Sequence, residues 1–385
     1  GTVSAGSADA DAIVIDDLKD ADALLAVNGG INVGSLTGTI GAEGSTDTVL
    51  EGGKAVTITG NDPAAAIKGN SVLSDEDDLI QAAAVTGNID FGSFSANGDK
   101  LIDGSFNGGS ITAGGPDKDA LLSIEGTVFT GENEIKDLSS GTTTTGEIAT
   151  GTLNLKNIGG ADVNALDKTD ITDFEKVMLQ SSLTYTNGTI GMTAADPNYI
   201  TSLEMTNPAA GETVTFGENG AANLDKFILN GNKMVLNAAT AAVTTTGTEL
   251  VNAGDVVEMT AGTMNFNGIT TVASTDFNVS GADSVVNFNA DGADADHPGA
   301  LLSGAISAES GSSVNFNGAF TNVSDTGLID ADAGAKITFA GANASMAGKI
   351  DANDSAVLFS GDSATVSGTI DGFNNSSVIF SAANA

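Results

Sequence analysis

Short runs of alternating apolar and polar residues recur in the C-terminal third of the chain and predict short β-strands. In "SVNF", "KITF", "AVLF" and "SVIF" an apolar residue stands two positions before a phenylalanine. Alternation with a period of two, in β-branched and aromatic residues, is typical of a strand with one buried side. Clusters of Gly, Asn, Asp and Ser separate these runs and predict turns.

The strand-like runs repeat at nearly constant intervals. The phenylalanines stand at positions 316, 339, 359 and 380, in steps of 23, 20 and 21 residues. Three further columns advance with them: Ile306, Ile329, Ile350 and Ile370; Gly304, Gly327, Gly348 and Gly368; and Val323, Met346 and Val366. A short unit that recurs in this way cannot bury its apolar side alone and needs its neighbours.

We therefore predict an all-β fold, a parallel β-helix (β-solenoid) with about 20–23 residues per coil. Inward Val, Ile and Phe side chains would stack from coil to coil. The glycine column would stand at corners of the coil with a positive φ angle. The alternative is a set of antiparallel β-sandwich domains, which also contain short strands at regular spacing.

The repeat becomes looser towards the N-terminus and sets the predicted domains. An insertion near 290–302 lengthens one coil, and residues 151–385 as a whole read as solenoid. Residues 1–150 are β-rich, but their strand-like runs do not recur at constant steps. We therefore expect them to form either a cap followed by an irregular solenoid or a separate β-domain. The segment "DADAIVIDDLKDADALLAVNGG" predicts a short helical or irregular N-terminal cap.

The charge excludes several classes of partner. Asp and Glu number 50 against 13 Lys and no Arg, giving a formal net charge of −37. Nucleic-acid backbones are bound by Lys and Arg, so we expect no nucleic acid. No stretch reaches the ~18 apolar residues of a membrane helix, so we expect no membrane insertion. The chain has no Cys, which is compatible with secretion, and its 41% of hydrophobic residues argues against a disordered acidic tail.

One column of carboxylates suggests a cation site. Asp330, Asp351 and Asp371 each follow the column isoleucine, so adjacent coils would place them about 4.8 Å apart. Two charges at this distance repel by about 3.5 kcal/mol at an effective dielectric constant of ~20. Asp332 and Asp354 lie nearby, and the five residues could form an oxygen cage for Ca²⁺, the only cofactor predicted. The alternative is a set of solvated turn aspartates.

We predict no catalytic residues and no enzymatic activity. His297 is the only histidine and precedes Pro298 in the insertion, which reads as an exposed loop. No Gly-x-Ser-x-Gly elbow accompanies it. Sugar sites favour Trp, Tyr and Arg, and this chain has no Trp, no Arg and two tyrosines, Tyr185 and Tyr199. A β-helical polysaccharide-degrading enzyme is the third reading, because paired carboxylates are plentiful.

The last two coils predict an edge for self-assembly. The outward residue at the centre of the strand becomes apolar there, at Leu358 and Ile379. Five residues follow Phe380 in this sequence, and they contain no polar capping repeat. We expect another molecule or further chain to cover this coil, through an edge formed by Leu358, Val378, Ile379 and Phe380. The alternative is an end that is blunted by its own last residues.

The composition and phrasing of the chain resemble those of microbial surface proteins. The acidic charge, the lack of Cys, and phrases such as "TGNIDFGS", "KAVTITGN" and "LDKFILNGNKMVLNA" carry this resemblance. The families concerned are S-layer proteins and the β-helical passenger regions of autotransporter-type adhesins. The resemblance implies an extracellular or cell-surface location and self-assembly, often assisted by Ca²⁺.

The expected function is that of an extracellular structural protein whose partner is itself, in a surface layer or filament. The alternative is an adhesin or glycan-binding stalk whose partner is a cell-surface glycan.

Overall fold

The structure is a computed structural model. It describes residues 2–5, 13–15, 24–27, 31–41, 47–60, 65–73, 76–92, 97–115, 120–138, 151–159, 165–191, 202–206 and 211–381.

The regular elements of the described residues are all β-strands. Up to residue 191 they are β1 (Thr2–Ala5), β2 (Ile13–Ile15), β3 (Leu24–Val27), β4 (Ile31–Leu36), β5 (Thr39–Gly41), β6 (Thr48–Gly52), β7 (Val56–Gly60), β8 (Ala66–Lys68), β9 (Asn70–Val72), β10 (Leu79–Gln81), β11 (Ala84–Thr86), β12 (Ile89–Asp90), β13 (Asp99–Ile102), β14 (Ser105–Ala113), β15 (Leu121–Glu125), β16 (Val128–Asp137), β17 (Thr152–Lys156), β18 (Ala165–Asp167), β19 (Thr169–Thr172), β20 (Lys176–Leu179), β21 (Leu183–Thr186) and β22 (Thr189–Gly191).

From residue 202 onwards they are β23 (Ser202–Met205), β24 (Thr213–Phe216), β25 (Ala221–Leu224), β26 (Lys226–Ile228), β27 (Lys233–Leu236), β28 (Ala242–Thr245), β29 (Glu249–Val251), β30 (Val256–Met259), β31 (Gly262–Phe266), β32 (Thr270–Val272), β33 (Asp276–Ser280), β34 (Ser284–Phe288), β35 (Ala300–Leu302), β36 (Ala305–Glu309), β37 (Ser313–Phe316), β38 (Asn322–Val323), β39 (Leu328–Asp332), β40 (Lys336–Phe339), β41 (Ser345–Met346), β42 (Lys349–Asn353), β43 (Ala356–Phe359), β44 (Thr365–Val366), β45 (Thr369–Phe373) and β46 (Ser377–Phe380).

The chain forms two compact units. Unit 1 comprises Gly1–Leu183 and Gly188–Thr201, and unit 2 comprises Thr184–Asn187 and Ser202–Ala385. In unit 2 each coil contributes one strand to each of three parallel ladders. Face 1 contains β23 and β26, and then β29, β32, β35, β38, β41 and β44. Face 2 runs β24, β27, β30, β33, β36, β39, β42 and β45. Face 3 runs β25, β28, β31, β34, β37, β40, β43 and β46.

Unit 1 has the same three-strand plan with less regular strands. One ladder runs β2, β4, β7, β10, β13, β15, β17 and β20. The long strands β14 and β16 each serve two ladders, and their pairing shifts register between Asn107 and Gly109. Such bulges bend the strand so that it can turn from one ladder to the next.

The predicted parallel β-solenoid is confirmed. Every strand pairing of the described residues is parallel, which excludes the antiparallel sandwich for this part of the chain. The predicted columns are in register: Ile329 pairs with Ile350, Ile350 with Ile370, and Val323 with Met346. The repeat read from the sequence is therefore the coil of the solenoid.

The aromatic column of face 3 forms a continuous stack in the core. Neighbouring ring centroids are 4.7–4.9 Å apart, with interplanar angles of 3–8°. The rings belong to Phe266, Phe288, Phe316, Phe339, Phe359 and Phe380. The spacing of parallel strands, about 4.8 Å, sets this separation. The five rings from Phe266 to Phe359 are buried, and each contributes about 1.5–3 kcal/mol to stability. Phe380 ends the stack and is half exposed.

The explanation predicted for the glycine column is wrong. None of its four glycines has a positive φ angle. A methyl group at Gly348 would instead overlap the carbonyl oxygen of Gly327, and one at Gly368 would overlap that of Gly348. The column is glycine because successive coils approach backbone to backbone at this corner. The left-handed corner lies after face 2, at residues such as Gly334 (φ 86°) and Asp354 (φ 50°).

The predicted helical cap is also corrected. Within "DADAIVIDDLKDADALLAVNGG" the described residues are strands, Ile13–Ile15 and Leu24–Val27, and the rest lies outside the described residues. These apolar runs of three and four residues are too short to fill a helix face but match a short strand of the coil. The insertion near 290–302 begins in the connection between β34 and β35.

Candidate functional site

The aspartate column predicted from the repeat lies on the outer side of face 2. Asp330 in β39 pairs with Asp351 in β42, which pairs with Asp371 in β45. All three side chains are half-buried. The structure therefore brings these three carboxylates together on adjacent coils.

A lysine lies between two of these carboxylates. The Nζ atom of Lys349 is 2.7 Å from Oδ1 of Asp351 and 3.2 Å from Oδ2 of Asp371. Hydrogen bonds to these two groups raise the pKa of Lys349 above its usual value. Lys349 stands two residues before Asp351 in the strand, so the two side chains share a face. The sequence phrase "GKID" already shows this spacing of a lysine two residues before the aspartate.

The third carboxylate of the column, that of Asp330, is affected by several neighbouring negative charges. Partial burial raises the pKa of Asp330, and the charges of Asp332, Asp351 and Glu309 raise it further. Lys349 opposes this shift. The acidic cluster on face 2 thus extends from Asp330 towards Glu309, away from the lysine.

The two remaining predicted calcium ligands lie where strands of face 2 end: Asp332 is the last residue of β39, and Asp354 follows β42. Asp332 ends β39 and pairs with Asn353. Asp354 is exposed at the left-handed corner, and its carbonyl oxygen accepts the N–H of Gly334 at 2.6 Å. Within the described residues, no group of three or more His, Cys, Asp or Glu side chains is arranged to hold a metal ion. Calcium at these five residues therefore stays a prediction.

A groove on face 2 continues the acidic surface. Its lining residues are Glu258, Asn278, Val279, Ser280, Ser307 and Glu309. Glu258 forms an ion pair with Lys233 of the adjacent strand β27. The lining side chains are polar apart from Val279, and the two glutamates come from β30 and β36.

Other acidic residues are buried at corners, where they bind backbone groups of the preceding coil. Oδ1 of Asp78 accepts the N–H of Val56 at 2.5 Å, and Oδ1 of Asp255 accepts the N–H of Gly231 at 2.7 Å. The second oxygen of Asp255 accepts the N–H of Asn252 at 2.8 Å. These carboxylates replace carbonyl acceptors where the ladder turns. Sequence reasoning missed them, because a buried corner aspartate and a solvated one have the same sequence context.

Glu249 is the most perturbed of the acids whose pKa shift is resolved. Its side chain is 2% exposed and accepts the N–H groups of Phe227 (3.0 Å) and Leu250 (3.1 Å). Burial raises the pKa of Glu249 to about 8, and the charge of Asp225 acts in the same direction. The two hydrogen bonds and Lys226 lower it by less. In "ELV" the glutamate alternates with the buried Val251, which is the signal that sequence reasoning overlooked.

Two columns of asparagine cover the outer side of face 3. The Nδ2 groups of Asn287 and Asn315 donate to the Oδ1 atoms of Asn265 and Asn287, both at 2.9 Å. A second, exposed column repeats this pattern through Asn267, Asn289 and Asn317. Such amide ladders reinforce a parallel in-register sheet.

The predicted assembly edge is exposed at the last described coil. Of the four predicted residues, Val378, Ile379 and Phe380 are 38%, 51% and 48% exposed, and Leu358 is half-buried. Phe373, which was not part of the prediction, is 57% exposed beside them. β46 pairs with β43 on one side, and no strand of the described residues pairs with its other side. The apolar core of unit 2 therefore meets the surface here.

The remaining residues weighed from the sequence lie apart from this surface. His297 is in an exposed loop, where its Nδ1 atom is 2.9 Å from Oδ1 of Asp294 and holds the pKa of Asp294 below its usual value. Tyr185 is fully buried and unable to offer a stacking surface, and Tyr199 lies outside the described residues. Among the residues described, none belongs to a helix long and apolar enough to cross a membrane.

Comparison of the chain with protein-family models, with curated proteins and with solved structures found no match.

Proposed function

We propose that this chain is an extracellular structural protein that self-assembles into a surface layer or filament by adding one solenoid to the end of another. The observation that carries the proposal is the exposed apolar end of unit 2, where Phe373, Ile379 and Phe380 are about half exposed or more. Exposed apolar side chains beside an unpaired strand edge favour the addition of further strands.

A second copy of the chain offers strands of the required direction. In unit 1, β1 and β2 pair on one side with β3 and β4, and no described strand pairs with their other side. All the ladders of the described residues are parallel, so a strand of a second copy that pairs with β46 would continue face 3 if it ran in the same direction as β46. A contact of this head-to-tail kind does not close on itself and propagates.

The composition supports a location outside the cell. The chain has no Cys, so its fold does not depend on the redox state of its surroundings. Its net charge of −37 opposes unspecific association of the solenoid sides. Assembly would then be confined to the apolar end.

Sedimentation velocity over a concentration series tests this proposal. The wild type should form species larger than the monomer, and Phe380→Asp should remain monomeric because it places a charge among the exposed apolar side chains of this end. Leu250→Asp is the matched control, since Leu250 is also 48% exposed but lies in β29, away from the end. This control should assemble like the wild type.

A second variant covers the case in which Phe380→Asp fails to fold. Ile379→Asp changes an exposed side chain of the same strand that is outside the phenylalanine stack. A wild type that stays monomeric, or end variants that assemble as the wild type does, would overturn the proposal.

A further inference from the structure

Face 1 of unit 2 is interrupted between two successive coils. β23 pairs with β26, and β29 pairs with β32, but no described backbone pairing joins β26 to β29. Faces 2 and 3 continue across this step through the pairs β27–β30 and β28–β31. At this junction two backbone ladders, rather than three, connect the coils.

The side chain of Glu249 spans the interruption. It begins β29 and points to the buried side of the strand, as Val251 does. Oε2 accepts the N–H of Phe227 in β26, and Oε1 accepts the N–H of Leu250 in its own strand. A side-chain carboxyl thus takes the place of a missing ladder bond on the core side of face 1.

Few charges surround this carboxyl. The charged groups that act on it are Asp225, in the turn before β26, and Lys226, in β26 itself. On the other side, Glu249 pairs with Thr270 of β32, whose buried hydroxyl donates to the carbonyl oxygen of Gly268. Water is excluded from the carboxyl in the closed junction, but it would reach the carboxyl if β26 and β29 separated.

We propose that Glu249 is a pH-sensitive latch, in which opening of the junction between β26 and β29 is coupled to release of the carboxyl proton to water. The closed junction holds the protonated carboxyl, and the open junction exposes the carboxylate. Rising pH therefore loosens unit 2 at this step while faces 2 and 3 still connect the coils.

The pH window follows from the two states of the group. The pKa of Glu249 is about 8 in the closed junction, and an exposed glutamate has its ordinary value of 4.5. Opening releases a proton between these values, so the opening equilibrium should rise about tenfold per pH unit there and level off above pH 8. Below pH 4.5 both states are protonated, and the opening equilibrium stays constant at its lowest value.

Hydrogen–deuterium exchange of the segment around Phe227 and Leu250 tests the latch. After correction for intrinsic exchange rates, wild-type protection should fall about tenfold per unit between pH 6 and 8, and then remain constant. Glu249→Gln keeps the shape of the side chain without the titration, so its protection should be independent of pH. Glu258→Gln is the control, because Glu258 lies on the outer side of the next strand, and it should behave like the wild type.

Two results would overturn the latch. One is constant wild-type protection between pH 6 and 8, and the other is an unchanged pH dependence in Glu249→Gln. The wild-type series decides the question by itself if the glutamine variant does not fold. The latch proposal does not depend on self-assembly, because the exchange experiment probes a junction within one chain and is carried out on the monomer.

Discussion

Lys349 places a positive charge between two carboxylates of adjacent coils, the position that the sequence pattern assigned to a metal ion. The sequence correctly indicated that the aspartates of the column lie together, because its repeat fixes the register. It did not indicate how their charge is balanced, since that depends on the reach of a flexible side chain. Calcium binding by the five predicted aspartates stays a prediction.

Replacing Lys349 by methionine should lower the melting temperature at pH 7, because Asp351 and Asp371 then face each other without a cation. The raised pKa of Lys349 means that its contribution is present below its ordinary value of 10.5 and is lost only as pH rises beyond the folded-state value. The loss should therefore be constant from pH 6 to 9 and smaller in 1 M NaCl.

The control for this prediction is Lys336→Met, an exposed lysine in β40 on face 3, whereas Lys349 is in β42 on face 2. Calorimetric melting curves in low and high salt measure both variants. Equal melting temperatures for Lys349→Met and the wild type in low salt would show that the bridge contributes nothing.

Gly348 belongs to a column that the sequence analysis identified, but the physical reason for glycine at this position was not predicted correctly. A glycine can be required by a positive φ angle or by the close approach of another backbone. Both requirements give the same recurring glycine in a sequence. The structure gives the steric cause, because the carbonyl oxygen of Gly327 occupies the space that a side chain would need.

Gly348→Ala should reduce the free energy of unfolding by about 1–3 kcal/mol, since the coils must separate to admit the methyl group. Gly372→Ala is the matched control: its nearest neighbour beyond adjacent residues would be the Cβ atom of Ser376 at 3.8 Å, so the effect should stay within about 1 kcal/mol. Urea denaturation measures both changes. A similar loss in the two variants would contradict the close approach.

At the scale of elements, the regular coils of unit 2 were readable because apolar residues recur at constant steps. Phe316, Phe339 and Phe359 mark the same position of successive strands, and their rings stack as that spacing requires. In unit 1 the strand lengths vary from two residues in β12 to ten in β16, and the pairing of β14 with β16 shifts register between Asn107 and Gly109. Such irregularities move the columns by one or two residues, which hides the repeat although the pairing remains parallel.

The interruption of face 1 was also invisible in the sequence. Turn residues surround β26 and β29 as they surround other strands, so the missing pairing has no signal of its own. The buried position of Glu249 between them is the clue that a side chain replaces the backbone there. Polar residues at inward strand positions are therefore worth inspecting in any solenoid sequence.

For the whole molecule, the proposed self-assembly depends on the apolar end of unit 2. The outer sides of the coils carry acidic groups on face 2 and asparagine ladders on face 3. Phe380 and its neighbours interrupt this polar surface. The proposed association through these residues would extend a parallel sheet that the chain already forms.

Negative-stain electron microscopy of the purified wild-type protein tests self-assembly most directly. The account predicts filaments or sheets that lengthen with protein concentration and disappear in Phe380→Asp but persist in Leu250→Asp. Dispersed single particles of the wild type at every concentration, with and without Ca²⁺, would contradict it.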